Sequence, residues 1–145
     1  MKKIITLLVF ILLLSGCSSN RIKDLPKDPI EYKRGMIATE DAEEYYTTIE
    51  HDDKKYIMYS SIVTKNNSYN YAFGDCLGFV DNDTNDRIYE LKGEDSSKWL
   101  ISYYVNGEME EPIVLKEVTY TEDIKIPSSV KEPVPKIEEI EEVEQ

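Results

Sequence analysis

Three side chains that could ligate a cation alternate along the polar stretch DNDTND. Asp81, Asp83 and Asn85 stand at every second position, as do the first ligands of the calcium-binding EF-hand loop, D-x-[DN]-x-[DN]. The similarity ends there, because the sixth position lacks the glycine that the loop needs and the twelfth is Lys92 where the loop needs glutamate. We therefore interpret the stretch as a solvated turn, with a weak calcium site at Asp81, Asp83 and Asn85 as the alternative.

Cys76 and His51 are two further side chains with reactive chemistry. Cys76 lies in DCLGF, where it is expected to pack as a small hydrophobe; a reactive thiol or an intermolecular disulfide is the alternative. His51 is the only histidine and lies in the charged stretch EHDDKK, so no second histidine can complete a zinc site. The sequence also lacks a G-x-S-x-G nucleophile motif and the glycine-rich phosphate-binding motifs. We expect no enzymatic activity and no cofactor.

Cys17 has a different setting, at the end of a secretion signal. Two lysines precede the apolar run Ile4–Leu14, and small residues follow it. The run spans 11 residues, fewer than the about 20 that a membrane-spanning helix needs. A short anchor or an ordinary cleaved signal would also fit this pattern.

The tetrapeptide Leu14-Ser15-Gly16-Cys17 resembles the lipobox of bacterial lipoproteins. That resemblance implies cleavage after Gly16 and a diacylglycerol, with acyl chains such as palmitate, on the thiol of Cys17. Two acyl chains hold a protein stably in a bilayer. The resemblance also implies a lipid-anchored protein on the extracytoplasmic face of the cell membrane.

Charge and proline divide the chain into four segments. Residues 1–16 form the signal peptide, whose removal leaves 145 − 16 = 129 residues and changes the formal charge from −12 to −14. Residues 17–39 are expected to form a flexible lipidated tether, basic near the anchor and about 24 Å long over 18 residues. Residues 40–126 form the folded domain, and the proline- and glutamate-rich residues 127–145 form a disordered acidic tail. So acidic a chain is not expected to bind nucleic acid.

The folded segment is predicted to be all-β. Short runs rich in tyrosine and β-branched residues, such as KYIMYSSIV and WLISYYV, alternate with turn sequences such as HDDK, TKNNSYN and DNDTND. About six strands at this spacing predict a small antiparallel barrel or sandwich. In each of the pairs Tyr45-Tyr46 and Tyr103-Tyr104, one ring is expected to point outward.

The hairpin around Asn106-Gly107 allows a more detailed prediction. Trp99, Ile101, Tyr103 and Val105 make one apolar face, and most odd-numbered positions after the turn are also apolar. Matching the two faces requires odd positions to oppose odd positions, and therefore a three-residue connection. Even-numbered positions such as Ser102 should then be less buried.

The stretch GDCLGFV…RIYELKGEDSSKWLI resembles a pattern found in small surface lipoproteins of Gram-positive bacteria. Its first part is carried by Gly74, Leu77, Gly78 and Val80, and its second part by Tyr89, Leu91, Lys92, Gly93, Asp95 and Trp99. Lantibiotic-immunity lipoproteins, which intercept cationic peptides at the membrane, are similar in size, anchoring and strand content. The resemblance implies a binding protein for cationic peptides; the alternative is an accessory or structural subunit that contacts another envelope protein.

Overall fold

The chain is all-β, as predicted. The computed structural model describes residues 21–39, 43–107, 111–121 and 124–133. In this part of the chain the strands are β1 (Ile30–Ala38), β2 (Tyr45–His51), β3 (Lys54–Ser61), β4 (Phe73–Val80), β5 (Asp83–Leu91), β6 (Trp99–Tyr104) and β7 (Ile113–Glu117). One short 3-10 turn, Asn70–Ala72, precedes β4.

The seven strands close into a barrel in the order β1-β2-β3-β7-β6-β5-β4. All neighbours are antiparallel except β1 and β4, which close the barrel as a parallel pair with Tyr32 opposite Val80. Gly78 allows this close approach, since a Cβ there would lie 1.8 Å from the carbonyl oxygen of Ile30. The closing pair is short, since only Ile30–Tyr32 of β1 and Gly78–Val80 of β4 take part.

Three two-residue turns follow directly from their sequences. Asp52-Asp53, Asn66-Asn67 and Asp81-Asn82 have positive φ at both positions, between 47° and 64°. Tight hairpins favour such turns because their twist matches that of the strands, and asparagine and aspartate tolerate positive φ better than most residues. These are the turn sequences HDDK, TKNNSYN and DNDTND of the sequence analysis.

One buried residue from every strand meets inside the barrel. A single apolar cluster contains Tyr32, Ile49, Tyr56, Val80, Ile88, Leu100 and Leu115, and members of seven strands can share one cluster only at the barrel interior. Each fully buried side chain of this kind contributes roughly 1.5–3 kcal/mol of transfer free energy.

A second apolar cluster covers part of the barrel's outer surface. Tyr89, Trp99, Ile101 and Val114 are the sequence neighbours of interior residues and therefore point outward. Segments outside the strands cover them, contributing buried residues and partly buried ones: Ile62, Ala72, Val130, Ile22, Leu25, Tyr120, Ile124 and Ile126. Most tyrosines pack against this outer cluster, so the tyrosine excess chiefly reflects the covering of the barrel.

The predicted β6–β7 hairpin is wrong in both register and loop length. Ile101 lies opposite Val114, so odd positions oppose even ones, and the connection is residues 105–112, eight instead of three. Ser102 is buried at 9% exposure, whereas Tyr103 is only half-buried. The interior and outer clusters bury both faces of β6 and β7. Whether apolar residues stand at odd or even positions therefore does not indicate the register.

The segment expected to be a tether contains a strand and packed residues. Strand β1 begins at Ile30, and the chain before it lies on the barrel, with Ile22 and Leu25 half-buried against the outer cluster. Gly35 lies within β1, where the side chain of Glu50 crosses the strand. Residues 17–20, the remainder of the predicted tether, lie outside the described residues.

The segment expected to be a disordered tail also begins within the fold. Val130 is 5% exposed and forms an isolated bridge with Ile62. The amide of Lys131 donates to the carbonyl of Ser61 at 2.9 Å. Residues 127–133 therefore cover the barrel, and the prediction for residues 134–145 lies outside the described residues.

Candidate binding surface at the acidic end of the barrel

Three strand connections open at the same end of the barrel, because neighbouring antiparallel strands alternate in direction. They are residues 39–44, 81–82 and 105–112. Their sequences contain four, one and three acidic residues, respectively, and no lysine or arginine: Glu40, Asp41, Glu43, Glu44, Asp81, Glu108, Glu110 and Glu111. We call this the acidic end. The placement of Glu40, Asp41, Glu108 and Glu110 lies outside the described residues.

Three large apolar side chains are exposed near the acidic end. Met36, Tyr45 and Met58 are exposed to 71%, 65% and 67%, more than any other large apolar residue described. Tyr45 is the more exposed ring of its pair, but its exposure comes from its position at the end of the barrel and not from an outward-facing side of the sheet. The methionines were not selected from the sequence, because their exposure depends on where the barrel closes.

These side chains continue the inward-facing side of the sheet beyond the closed part of the barrel. Tyr45 alternates along β2 with the interior residue Ile49, and Met36 lies opposite the position midway between them. Met58 lies opposite Leu115, another interior residue. The barrel interior thus opens at the acidic end onto an apolar surface, which we call the apolar mouth and define as Met36, Tyr45 and Met58.

An ion-pair network lies inward of the apolar mouth. The Arg34 guanidinium donates to the buried carboxylate of Asp86 and lies 3.4 Å from that of Asp81. Burial raises the pKa of Asp86, against the opposing effect of Arg34. A hydrogen bond to the carboxylate of Asp83 raises the pKa of Tyr104. The only described cation in this network is therefore neutralised by two carboxylates.

The three calcium candidates have different partners within the protein. The Asp81 carboxylate pairs with Arg34. The Asp83 carboxylate accepts a hydrogen bond from the backbone N–H of Asn85 at 2.9 Å. The side-chain oxygen of Asn85 accepts one from the side-chain amide of Asn106 at 2.7 Å. The expected loop is only the turn at 81–82, since β5 begins at Asp83. Among the described residues, no group of three or more histidine, cysteine or acidic side chains could hold a metal ion.

The opposite end of the barrel, which we call the closed end, buries charged side chains and satisfies them. The ammonium of Lys116 donates to the carbonyls of Glu117 and Tyr120, at 3.2 and 2.6 Å. The Glu117 carboxylate accepts from the amide and hydroxyl of Thr119 at 2.9 and 2.6 Å. The Tyr56 hydroxyl donates to the Ser96 carbonyl at 3.1 Å. Segments before β6 and after β7 thus supply the hydrogen-bond partners of the buried polar groups at this end.

Cys76 and His51 have surroundings consistent with structural roles. Cys76 is buried at 5% exposure in the outer cluster, and burial raises the pKa of its thiol. His51 ends β2 with its Nε2 3.1 Å from the Asp52 carboxylate, and its ring lies 5.3 Å from that of Tyr32.

The chain joins the barrel close to the cysteine expected to carry the lipid. Lys23 pairs with Asp75 of β4, and Asp24 lies 3.5 Å from Arg87 of β5. Only three residues lie between Cys17 and Arg21, so the two are at most about 14 Å apart along the chain. This is shorter than the 24 Å expected for an 18-residue coil. Cys17 itself lies outside the described residues.

Comparison with known proteins identifies the N-terminal segment. The model of the prokaryotic membrane lipoprotein lipid attachment site matches residues 1–18, which include Cys17. No curated protein and no solved structure matches the chain significantly. Within the described ranges, no helix is long and apolar enough to cross a membrane. The chain therefore carries the lipid attachment site of a bacterial lipoprotein and is anchored to a membrane by lipid.

Proposed function

We propose that this lipoprotein lies on the extracytoplasmic face of the membrane and is a non-enzymatic binding protein for cationic amphipathic peptides. The acidic end would receive the peptide. The observation that carries the proposal is the combination of the exposed apolar mouth with three connections that contain only acidic charges.

Both halves of such a ligand find a complement at this end. Met36, Tyr45 and Met58 offer an apolar surface, and methionine and tyrosine are favoured where a binding surface must adapt to different partners. The surrounding carboxylates attract cations over roughly one Debye length, about 8 Å at physiological salt. Cationic peptides also collect at anionic membrane surfaces, close to where the short link to Cys17 holds the barrel.

The side chains that could perform covalent or acid–base chemistry support a non-enzymatic role. Cys76 is buried and its raised pKa disfavours the thiolate. His51 lies beside Asp52 at the closed end, away from the apolar mouth.

Titration calorimetry of the mature lipidated chain in a neutral detergent tests the proposal. A synthetic amphipathic lysine-rich peptide should bind saturably at low salt and more weakly at high salt. A matched peptide with glutamine in place of lysine should bind little at either. Absence of heat at low salt, or an affinity that does not change with salt, would contradict the proposal.

The second candidate function is that of an accessory subunit in an envelope complex. A cavity of about 560 Å³ lies beside Met58 and Tyr59 and is lined also by Lys131 and Pro133, where the described chain ends. A protein partner would then contact this cavity and the acidic segment that follows it. Crosslinking in cells from a photoreactive residue at Met58 distinguishes the two, since a single protein adduct supports the accessory subunit and a peptide adduct supports interception.

A further inference from the structure

A second pocket lies on the outer surface of the barrel, where the N-terminal segment crosses β5 and β6. It has a volume of about 310 Å³, and Arg21, Asp24, Arg87, Tyr89 and Tyr103 contribute to its lining. It lies close to the acidic end but on the outside of the barrel, because Tyr89 belongs to the outer cluster.

Tyr89 supplies this pocket with a buried hydroxyl that lies beside Arg87 and Cys76 but is not paired in good geometry. The residue is 0% exposed, and its hydroxyl is the one buried side-chain polar atom in the described residues that makes no hydrogen bond of ordinary geometry. Burial raises the pKa of Tyr89 to about 12, so the hydroxyl keeps its proton. A buried hydroxyl without a well-formed hydrogen bond destabilises the folded state, and a bound acceptor would relieve that cost.

Two arginine side chains, Arg21 and Arg87, line the same pocket. The Arg87 side chain is 17% exposed, and it is held by the Thr84 carbonyl at 2.9 Å and by Asp24 at 3.5 Å. Arg21 makes no ion pair within the described residues. Asp24 opposes an anion, but its side chain is 84% exposed and can turn into solvent. Two arginine forks and a phenol hydroxyl suit the oxygens of a phosphate group.

We propose that this pocket binds the phosphate of an anionic phospholipid in the membrane that carries the lipid anchor. Cys17 is at most about 14 Å of chain away from Arg21, so the pocket stays beside the headgroup layer. A headgroup is therefore present at high local concentration, whereas a free phosphate ion is not. A headgroup bound here would fix the barrel's orientation and hold the neighbouring acidic end at the membrane surface.

The test uses the full lipidated chain in nanodiscs, with Trp99 as the reporter of thermal unfolding. Trp99 is the only tryptophan and is 2% exposed, so its fluorescence changes when the outer cluster opens. Replacing phosphatidylcholine stepwise by phosphatidylglycerol should raise the midpoint temperature saturably, because a ligand that binds only the folded state stabilises it. Inorganic phosphate added to phosphatidylcholine nanodiscs should not reproduce the increase.

Matched variants connect the increase to the pocket. Arg21→Gln and Tyr89→Phe should each lose most of it. Lys27→Gln, which removes a charge from the same segment outside the pocket, and Tyr59→Phe, which removes a tyrosine hydroxyl elsewhere, should keep it. An equal loss in Arg21→Gln and Lys27→Gln would reveal diffuse attraction and overturn the proposal. So would an equal increase with inorganic phosphate, an unchanged Tyr89→Phe, or no increase at all. None of these outcomes bears on peptide binding, which is measured separately.

Discussion

The two ends of the barrel solve opposite problems. At the closed end, the charged side chains of Lys116 and Glu117 are buried and every one of their hydrogen bonds described above stays within the protein. At the acidic end, the apolar side chains of Met36, Tyr45 and Met58 are left in solvent. Burying a charge and exposing an apolar surface both cost free energy, but only the closed end compensates internally.

The difference is the basis for proposing the acidic end, and not the closed end, as the binding surface. Residues 118–121 follow β7 at the closed end, where Tyr120 packs edge-on against Trp99 with the ring centroids 5.9 Å apart. No described segment covers the apolar mouth. A ligand that covers the apolar mouth would bury these side chains, whereas the chain itself satisfies the buried groups at the closed end.

The largest expected effect concerns the anchor that brings the acidic end to the membrane. Cys17→Ala should abolish incorporation of a palmitate analogue, because no other cysteine stands in a lipobox. Cys76→Ala is the matched control and should be labelled like the natural chain. Label persisting on Cys17→Ala would mean that the anchor is attached elsewhere.

Unfolding should distinguish the two ends by several kcal/mol. Trp99→Ala should cost about 3–5 kcal/mol, because it empties a closely packed site in the outer cluster. Met58→Ala at the apolar mouth should change the free energy of unfolding by no more than about 0.5 kcal/mol. Urea unfolding followed by circular dichroism measures both. Equal losses would show that the apolar mouth is part of the core.

Two tyrosine-to-phenylalanine variants compare the stability of the closed end with that of the acidic end. Tyr56→Phe should cost about 1 kcal/mol at neutral pH, because it removes a hydrogen bond to the Ser96 carbonyl at the closed end. Tyr45→Phe at the acidic end should be neutral, since that ring is largely in solvent. The same urea unfolding measures both variants. An unchanged free energy of unfolding in Tyr56→Phe would contradict the role of this hydrogen bond at the closed end.

The alkaline pH dependence should be smaller, and the closed end should contribute part of it, since the pKa of Tyr89 in the outer cluster is raised as well. Burial raises the pKa of Tyr56 from 10.0 to about 12. A pKa raised in the folded state means that the folded chain keeps its proton longer. Stability is therefore intact below pH 10 and is lost as pH rises from 10 toward 12. Tyr56→Phe should flatten this loss and Tyr45→Phe should not; unfolding midpoints across this range test both.

Local turn chemistry and overall strand content were predictable from the sequence, and the closure of the barrel was not. Asp81-Asn82 forms a tight turn because its own residues tolerate positive φ. The pairing of Ile101 with Val114 could not be predicted from alternation of apolar and polar residues. Such a prediction assumes that one face of the strand is exposed to solvent, whereas both faces of β6 are buried. The residues of the binding surface depend on that closure, which is why Met36 and Met58 carry no signal in the sequence.

The prediction of a flexible tether at residues 17–39 was wrong for a related reason. The prolines, the charges and Gly35 are typical of a linker. The apolar residues Ile30 and Tyr32 nevertheless alternate as they do in a strand. That strand is stabilised by distant partners, since β1 pairs with both β2 and β4. A local reading of composition cannot include partners that lie tens of residues away.

One measurement tests directly whether the acidic end is the binding surface. Glu43→Gln with Glu44→Gln removes two charges from the acidic end, and Asp52→Asn with Asp53→Asn removes two from the closed end, where asparagine tolerates the positive φ. At low salt the first pair should weaken calorimetric binding of a cationic amphipathic peptide by roughly 2- to 30-fold, if each exposed ion pair contributes about 0.2–1 kcal/mol. The second pair should leave it nearly unchanged. Equal weakening by both pairs would show that only net charge attracts the peptide and would contradict a defined site at the acidic end.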